Sequence, residues 1–247
     1  MNKPRFGKKA LFVFSFIALL HLSFTNSISN PVFKFSNSNS LIRIKNDAAA
    51  SVNNLYDKLE LQAMGLSQEA FTKGMKGLEY LSKKGTVLND KIITIVDFTQ
   101  ASTEKRMYVI DLQDMKVLFN TYVAHGQKSG KQFAEQFSNQ PESYQSSLGF
   151  FETLGTYDGK HGYSLKLAGL ENGINDKAEE RAIVMHSAPY VSENFIKTQG
   201  YCGRSWGCPA LPEALSKPII DKIKNGSCLF IYSNNKNYLQ NSSIVNS

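Results

Sequence analysis

The stretch Arg106–Ala124, RMYVIDLQDMKVLFNTYVA, decides the fold. Its two runs, Arg106 to Leu112 and Lys116 to Ala124, are rich in β-branched and aromatic residues, which suit a pleated, half-buried surface. Gln113 and Asp114 mark a tight turn between them, so the stretch reads as a β-hairpin. The same texture begins with Ile92–Phe98 and returns in Phe150–Leu154, Tyr163–Leu167, Ala182–Met185 and Ser227–Tyr232. Many short strands with few helices predict a mostly-β sandwich or barrel.

A small N-terminal helical prefix, 51–85, stands ahead of the strands. Val52, Leu55 and Leu59 share a helical face that Gly65 terminates. Ser67 can cap a second helix, in which Phe71, Met75 and Leu78 recur at helical spacing before Lys83, Lys84 and Gly85 end it. The prefix is expected to pack on the main domain. The polar stretches 125–145 and 171–180 read as loops. Pro212–Lys224 reads as a helix bent or split by Pro218. The polar tail, 233–247, is expected to fray.

The N-terminus has the form of an export signal over 1–29. Lys3, Arg5, Lys8 and Lys9 make a basic start, and Ala10–Leu22 an apolar run short for a membrane span. Cleavage near Thr25–Ser29 or retention as an anchor are the two outcomes; no cysteine nearby suggests a lipid anchor. Residues 30–50, rich in Ser and Asn, read as a disordered spacer.

The 247 residues allow one sizeable domain with an appendage. Lys and Arg number 28 against 21 Asp and Glu, a formal +7; four basic and no acidic residues lie in 1–29, so the remainder carries only +3. Scattered charge of that size is no nucleic-acid signature. Three cysteines in an exported chain leave at least one unpaired within the chain.

The chemistry concentrates in GRSWGCPAL, 203–211. A thiolate nucleophile needs a base within reach and donors for the oxyanion it creates. Cys208 lies in a turn between Gly207 and Pro209, and Gly207 would let substrate and backbone N–H come close. His186, at the end of the apolar run Ala182–Met185, is the candidate base, its tautomer fixed by Ser187 or a nearby carbonyl. A disulfide with Cys202 and a buried structural thiol remain open readings for Cys208. Cys228, inside SCLFIY, reads as core. Zinc is disfavoured, because Cys202 and Cys208 are too far apart for a tight ligand pair and no two histidines lie close together. His125 and His161 each precede a glycine, so each either lines a cleft or sits on an exposed loop. Arg204 suits a substrate carboxylate or is a solvated surface residue, and Trp206 is either a cleft wall or a packing plug.

Several blocks in order give the chain a family resemblance over roughly 90–232. They are VDFTQASTEKRMYVIDL (96–112), AHGQKSG (124–130), SSLGFFET (146–153), GKHGYSLKLAGLENGIND (159–176), MHSAPYVS (185–192) and GRSWGCPALP (203–212). The chain resembles the L,D-transpeptidase (YkuD-like) catalytic domain, and more closely the exported Gram-negative branch labelled murein L,D-transpeptidase catalytic domain. His186–Ser187 and Ser205–Trp206–Gly207–Cys208 match the family's His-small and Ser-x-Gly-Cys pattern. The wider family usually has histidine where Trp206 stands and Arg or Asn shortly after the cysteine, where Pro209 and Ala210 stand here; the departure marks a subfamily.

The resemblance implies a mostly-β sandwich with its site in a cleft. It implies that His186 deprotonates Cys208, that the thiolate attacks the carbonyl on the L-centre of residue three of a peptidoglycan stem peptide, and that main-chain N–H groups of Gly207 and Cys208 hold the oxyanion. Arg204, Ser205, Trp206 and His161 would line the substrate site. It implies no metal or organic cofactor, and capture of Cys208 by carbapenems. The acyl acceptor is left open: a stem amine (a 3–3 cross-link), water (an L,D-carboxypeptidase) or a lysine of a wall-tethered protein. A non-catalytic wall-binding protein with a Cys202–Cys208 bridge is the rival from another class. The expected location is the periplasm or cell envelope of a Gram-negative bacterium.

Overall fold

A computed structural model describes residues 50–247. The expected signal and nearly all of the expected spacer lie outside the described residues. Among the described residues no helix is long and apolar enough to cross a membrane.

Residues 50–58 form a first helix, α1, followed by α2, Gln68–Lys83. Ser67 caps α2 as expected, its side chain accepting from Ala70 N. The buried face of α2, Ala70, Phe71, Gly74, Gly77, Leu78 and Leu81, repeats at three- and four-residue spacing. Glycine at 74 and 77 lets this helix lie almost on the sheet: a Cβ at Gly74 would meet Ile95 and Phe230 at 3.1 and 3.2 Å, and one at Gly77 would overlap the Phe150 ring. The prefix is therefore continuous with the core rather than an accessory to it.

The strands are β1 (Asn89–Asp97), β2 (Met107–Asp111), β3 (Lys116–Thr121), β4 (Gly149–Gly159), β5 (Gly162–Gly169), β6 (Val184–Ser187), β7 (Ala210–Leu211) and β8 (Ser227–Tyr232). They form one eight-stranded sheet in the order β3-β2-β1-β8-β4-β5-β6-β7. The β1–β8 and β6–β7 pairs are parallel, the rest antiparallel. Just past β3, Ala124 N donates to Ala210 O of β7 (2.9 Å), so the two sheet ends approach and the sheet is nearly a closed barrel. The mostly-β architecture expected from the strand pattern is the one adopted. Asp111 makes the expected hairpin turn, its Oδ1 accepting from Gln113 N and Asp114 N.

Three local expectations are corrected. The helix α4, Glu213–Ile223, runs unbroken through Pro218: one missing donor is tolerated where Ile219, Ile220 and Ile223 are buried. A short helix, α3 (Glu193–Gln199), capped by Ser192 and by left-handed Gly200, stands where no element was expected. The tail does not fray. It forms α5, Lys236–Asn241, and buries Tyr238, Ile244 and Val245. Its apolar residues are too few to show as a periodic pattern among Ser and Asn. Glu171, itself buried, accepts from Tyr238 Oη (3.1 Å) and Ser242 Oγ and so holds the tail down.

Candidate active site

Cys208 ends a turn that Ser205 closes. Ser205 Oγ donates to Cys208 O (2.6 Å) and accepts from Gly207 N (3.0 Å). Gly207 has φ +127°, and a Cβ there would lie 2.7 Å from Gln145 O, so the turn requires glycine on two counts. Loop 125–130 pins the turn from the other side: Ser205 N donates to His125 O (2.9 Å) and Gln127 N to Ser205 O (2.7 Å).

His186 lies on the neighbouring strand. In the parallel β6–β7 register it pairs with Ala210. Cys208, two residues earlier, meets the same chain at Ala182–Val184. Val184 N donates to Cys208 Sγ (3.5 Å), and the thiol faces Ala182 O at 3.7 Å. Cys208 and His186 thus stand on adjacent chains, two residues out of step, and both line a cavity of about 400 Å³.

His186 Nδ1 lies 2.8 Å from Ser187 O. A carbonyl only accepts, so Nδ1 carries the proton and Nε2 is left as the acceptor. The Ser187 carbonyl, not its hydroxyl, fixes the tautomer. Burial pulls the His186 pKa down; the Ser187 carbonyl opposes this, and His161 pushes it further down. Burial raises the Cys208 thiol, with Val184 N–H and Arg181 pulling the other way. The two shifts together favour a resting pair of neutral thiol and neutral imidazole.

The two-residue turn between β4 and β5 delivers Lys160 and His161 to the same cavity. The His161 ring stacks on His186 with centroids 4.4 Å apart and planes 22° from parallel. Lys160, Arg181 and Arg204 line the cavity, and no carboxylate does. Arg204 Nη1 donates to Gly130 O (3.2 Å), with its guanidinium 5.1 Å from the Tyr201 ring. Trp206 is 69% exposed and meets Tyr144 edge-on at 5.5 Å.

The structure brings Cys208, His186, His161, Arg204, Ser205 and Trp206 onto one cavity and corrects several finer expectations. The Gly207 N–H is already held by Ser205 Oγ, so it is not a ready oxyanion donor; the Cys208 N–H has no partner among the described residues. Ser205, buried, has its hydroxyl engaged inside the turn rather than offered to a ligand. Cys202 and Cys208 are not bridged. Cys202 is sealed in a small cluster with Ala124, Ala188, Val191 and Ala210, whereas Cys208 packs against the main core.

His125 neither lines the cleft nor sits on an exposed loop. It is fully buried, accepting at Nδ1 from Arg106 Nη2 (2.7 Å) with Nε2 3.2 Å from Gly130 O. Burial, then the Arg106 charge, pushes its pKa down to about 3, so it stays neutral. Arg106 is itself fully buried and also donates to Val123 O and Gln100 O. Four polar cavity groups escaped the sequence reading: Arg181, Lys160, Tyr157 and Tyr190. For Arg181 the one signal was a charge at the mouth of a buried strand. Its guanidinium donates to Ser138 O (2.7 Å), Ser147 Oγ, Ser143 Oγ (3.1 Å) and Gln145 O (2.7 Å), clamping loop 138–147 to the wall beside the thiol. Among the described residues no three His, Cys, Asp or Glu side chains converge as metal ligands.

The family model described as L,D-transpeptidase catalytic domain matches residues 62–232, more than half of the chain. The chain belongs to that family. The match begins ahead of α2, so it takes in most of the helical prefix. No curated protein is similar enough in sequence to match. Among solved structures the chain is similar to an L,D-transpeptidase from Mycobacterium smegmatis (14% identity, TM-score 0.36, covering 58% of this chain and 59% of that one). It is also similar to an L,D-transpeptidase from Enterococcus faecium (13%, 0.35, 57% and 50%). A third is the helical cell shape determining protein Pgp2 from Campylobacter jejuni (16%, 0.38, 66% and 57%). The chain spans under two thirds of the length of each.

Proposed function

We propose that this protein is an exported, cysteine-dependent peptidoglycan L,D-transpeptidase. It would cleave stem tetrapeptides at the L-centre of residue three and transfer the acyl group to an amine. One observation carries the reading: Cys208 and His186 share one cavity, with the His186 Nε2 lone pair left free by the Nδ1–Ser187 O bond. The cationic, carboxylate-free lining supports a donor that carries carboxylates.

The thiol proton passes to His186 Nε2 as Sγ attacks the carbonyl carbon. The Cys208 N–H, which has no partner among the described residues, would donate to the oxyanion. Collapse of the tetrahedral adduct breaks the C–N bond, and the imidazolium protonates the departing amine of the terminal D-residue. An acceptor amine then attacks the thioester, gives up a proton through His186, and Sγ is released. With water as the acceptor the same site is an L,D-carboxypeptidase. The basic and apolar residues of 1–22 support export to the cell envelope.

The test is mass spectrometry of disaccharide-tetrapeptide incubated with the protein and with Cys208→Ala. A 3–3 linked dimer that disappears in the variant is expected. Tripeptide without dimer, over a range of acceptor amines, means the carboxypeptidase; no turnover by the wild type rejects the reading.

A further inference from the structure

A cavity of about 370 Å³ shares no lining residue with the one that holds Cys208. One wall is the C-terminal tail, through Asn235, Asn237, Tyr238 and Asn241, and lies beyond the stretch that the family model matches. The rest comes from inside that stretch, with Ser138, Asn139 and Asn172 as polar groups and Phe137, Leu148 and Ile174 as apolar ones.

The walls are tied together without a ligand. Glu171, next to Asn172, accepts from Tyr238 Oη (3.1 Å) and Ser242 Oγ of the tail. Asp176 Oδ1 accepts from Gly173 N (2.8 Å) and Asn139 Nδ2 (2.7 Å), which fixes the loop bearing Asn172 to the segment bearing Asn139. A cavity whose sides are joined in this way loses little freedom when it is filled.

The bonds within the walls leave a defined set of polar atoms uncommitted. Asn235 Oδ1 accepts from Tyr238 N (3.0 Å), so Nδ2 is its free end. Asn241 Nδ2 donates to Asn237 O (2.8 Å) and Oδ1 (2.6 Å), which leaves Asn241 Oδ1 and Asn237 Nδ2. Asn172 is exposed, and its carboxamide has no partner among the described residues. No charged side chain lines this cavity, in contrast to the cationic catalytic one. A carboxylate or an ammonium would find no counter-charge here, whereas hydroxyl and amide groups meet both donors and acceptors.

We infer that this cavity binds an N-acetylated hexose of a glycan strand, with its hydroxyl and acetamido groups on the asparagines and its methyl group against Leu148 and Ile174. The choice of sugar rests on the peptidoglycan reading above, but binding needs no turnover. Loop 138–147 joins the two cavities: Ser138 lines this one, and its carbonyl accepts from Arg181 Nη1 (2.7 Å), whose side chain lines the other. The tail thus adds a hold on the glycan to a domain whose catalytic cavity takes the stem.

The test is an NMR titration of the protein with triacetylchitotriose, and with cellotriose, which lacks the acetamido groups. Saturable amide shifts at 137–139, 172–174 and 235–241 are expected with the acetylated sugar, and weaker binding of cellotriose. Asn172→Ala breaks no bond within the protein and is expected to weaken the acetylated sugar about tenfold, the size of one or two net hydrogen bonds. Absence of saturable shifts, shifts confined to 203–208, equal affinity for cellotriose, or an affinity that Asn172→Ala leaves unchanged each overturns the inference. Those outcomes leave the Cys208 chemistry untouched, because muropeptide cleavage reads it separately. Sugar binding at these residues without any cleavage would uphold this site and remove the transpeptidase reading.

Discussion

The His161 and His186 rings lie face to face, their centroids 4.4 Å apart, although they come from a hairpin turn and a buried strand. Positive charge on the His161 ring opposes a proton on His186. His186, already pulled down by burial, is lowered further by His161. Replacing His161 with Asn removes that second influence, so the His186 pKa must rise. The acid limb of the pH profile for Cys208 acylation is therefore expected to move to higher pH in His161→Asn. Acylation rates across pH 4–8 test this; a limb that stays put or moves to lower pH removes His161 from the control of the base.

The strands and the nucleophile turn were readable because their signals are local. Runs such as Ile92–Phe98 and Ser227–Tyr232 show β propensity within a few residues, and Gly207–Cys208–Pro209 is a turn by composition. The rest depends on distant partners. Arg106 opens a strand in sequence, and nothing nearby shows that its guanidinium is buried against His125, 19 positions away. Arg181 reaches back to Ser138 and Ser147 across more than thirty residues. The two-residue β7 is too short for any periodicity, yet it sets the register between Cys208 and His186.

Burial raises the Cys208 thiol, so little thiolate is expected at neutral pH. Alkylation by iodoacetamide should be slow at pH 7 and increase into the alkaline range, with a midpoint above the ordinary cysteine value. Cys202, raised to about 11 by burial and sealed from solvent, should react more slowly than Cys208, which faces the cavity. Acylation by substrate should instead follow His186, because the base removes the proton during attack. Fast alkylation at pH 6 with a neutral or lower midpoint would show a preformed thiolate and contradict the neutral pair.

The contact of Gly77 with Phe150 tests whether the helical prefix is part of the core. A Cβ at 77 would come 2.0 Å from Phe150 Cζ. Gly77→Ala gains helix propensity but must displace the ring, which is buried and stacked on Phe230 at 4.1 Å. A net loss of about 1–3 kcal/mol is expected, read as a lower Tm. Phe150→Leu should cost less in the Gly77→Ala background than alone, because the smaller side chain relieves the overlap. Additive losses would mean that α2 sits off the sheet in solution.

Glu171 ties the C-terminal tail to the start of β4. It accepts from Phe150 N (2.8 Å), Tyr238 Oη (3.1 Å) and Ser242 Oγ, and burial raises its pKa despite the three donors. A carboxyl whose folded pKa lies above its unfolded value stabilises the fold most when protonated. Its contribution is full below the unfolded pKa and is lost as pH rises through the folded one. Glu171 thus opposes acid unfolding, unlike a salt-bridged carboxylate. Glu171→Gln removes that titration while keeping one acceptor oxygen. From pH 7 to pH 5 the wild type should gain Tm relative to Glu171→Gln; a difference that is flat, or that runs the other way, contradicts the raised pKa. Glu171→Ala loses every bond and should cost about 2–4 kcal/mol, because Phe150 N, Tyr238 and Ser242 are left with buried, unmatched donors. Amide exchange over residues 236–247 should then accelerate ahead of the sheet, since the tail is held to the domain largely through this one carboxylate and the burial of Tyr238, Ile244 and Val245.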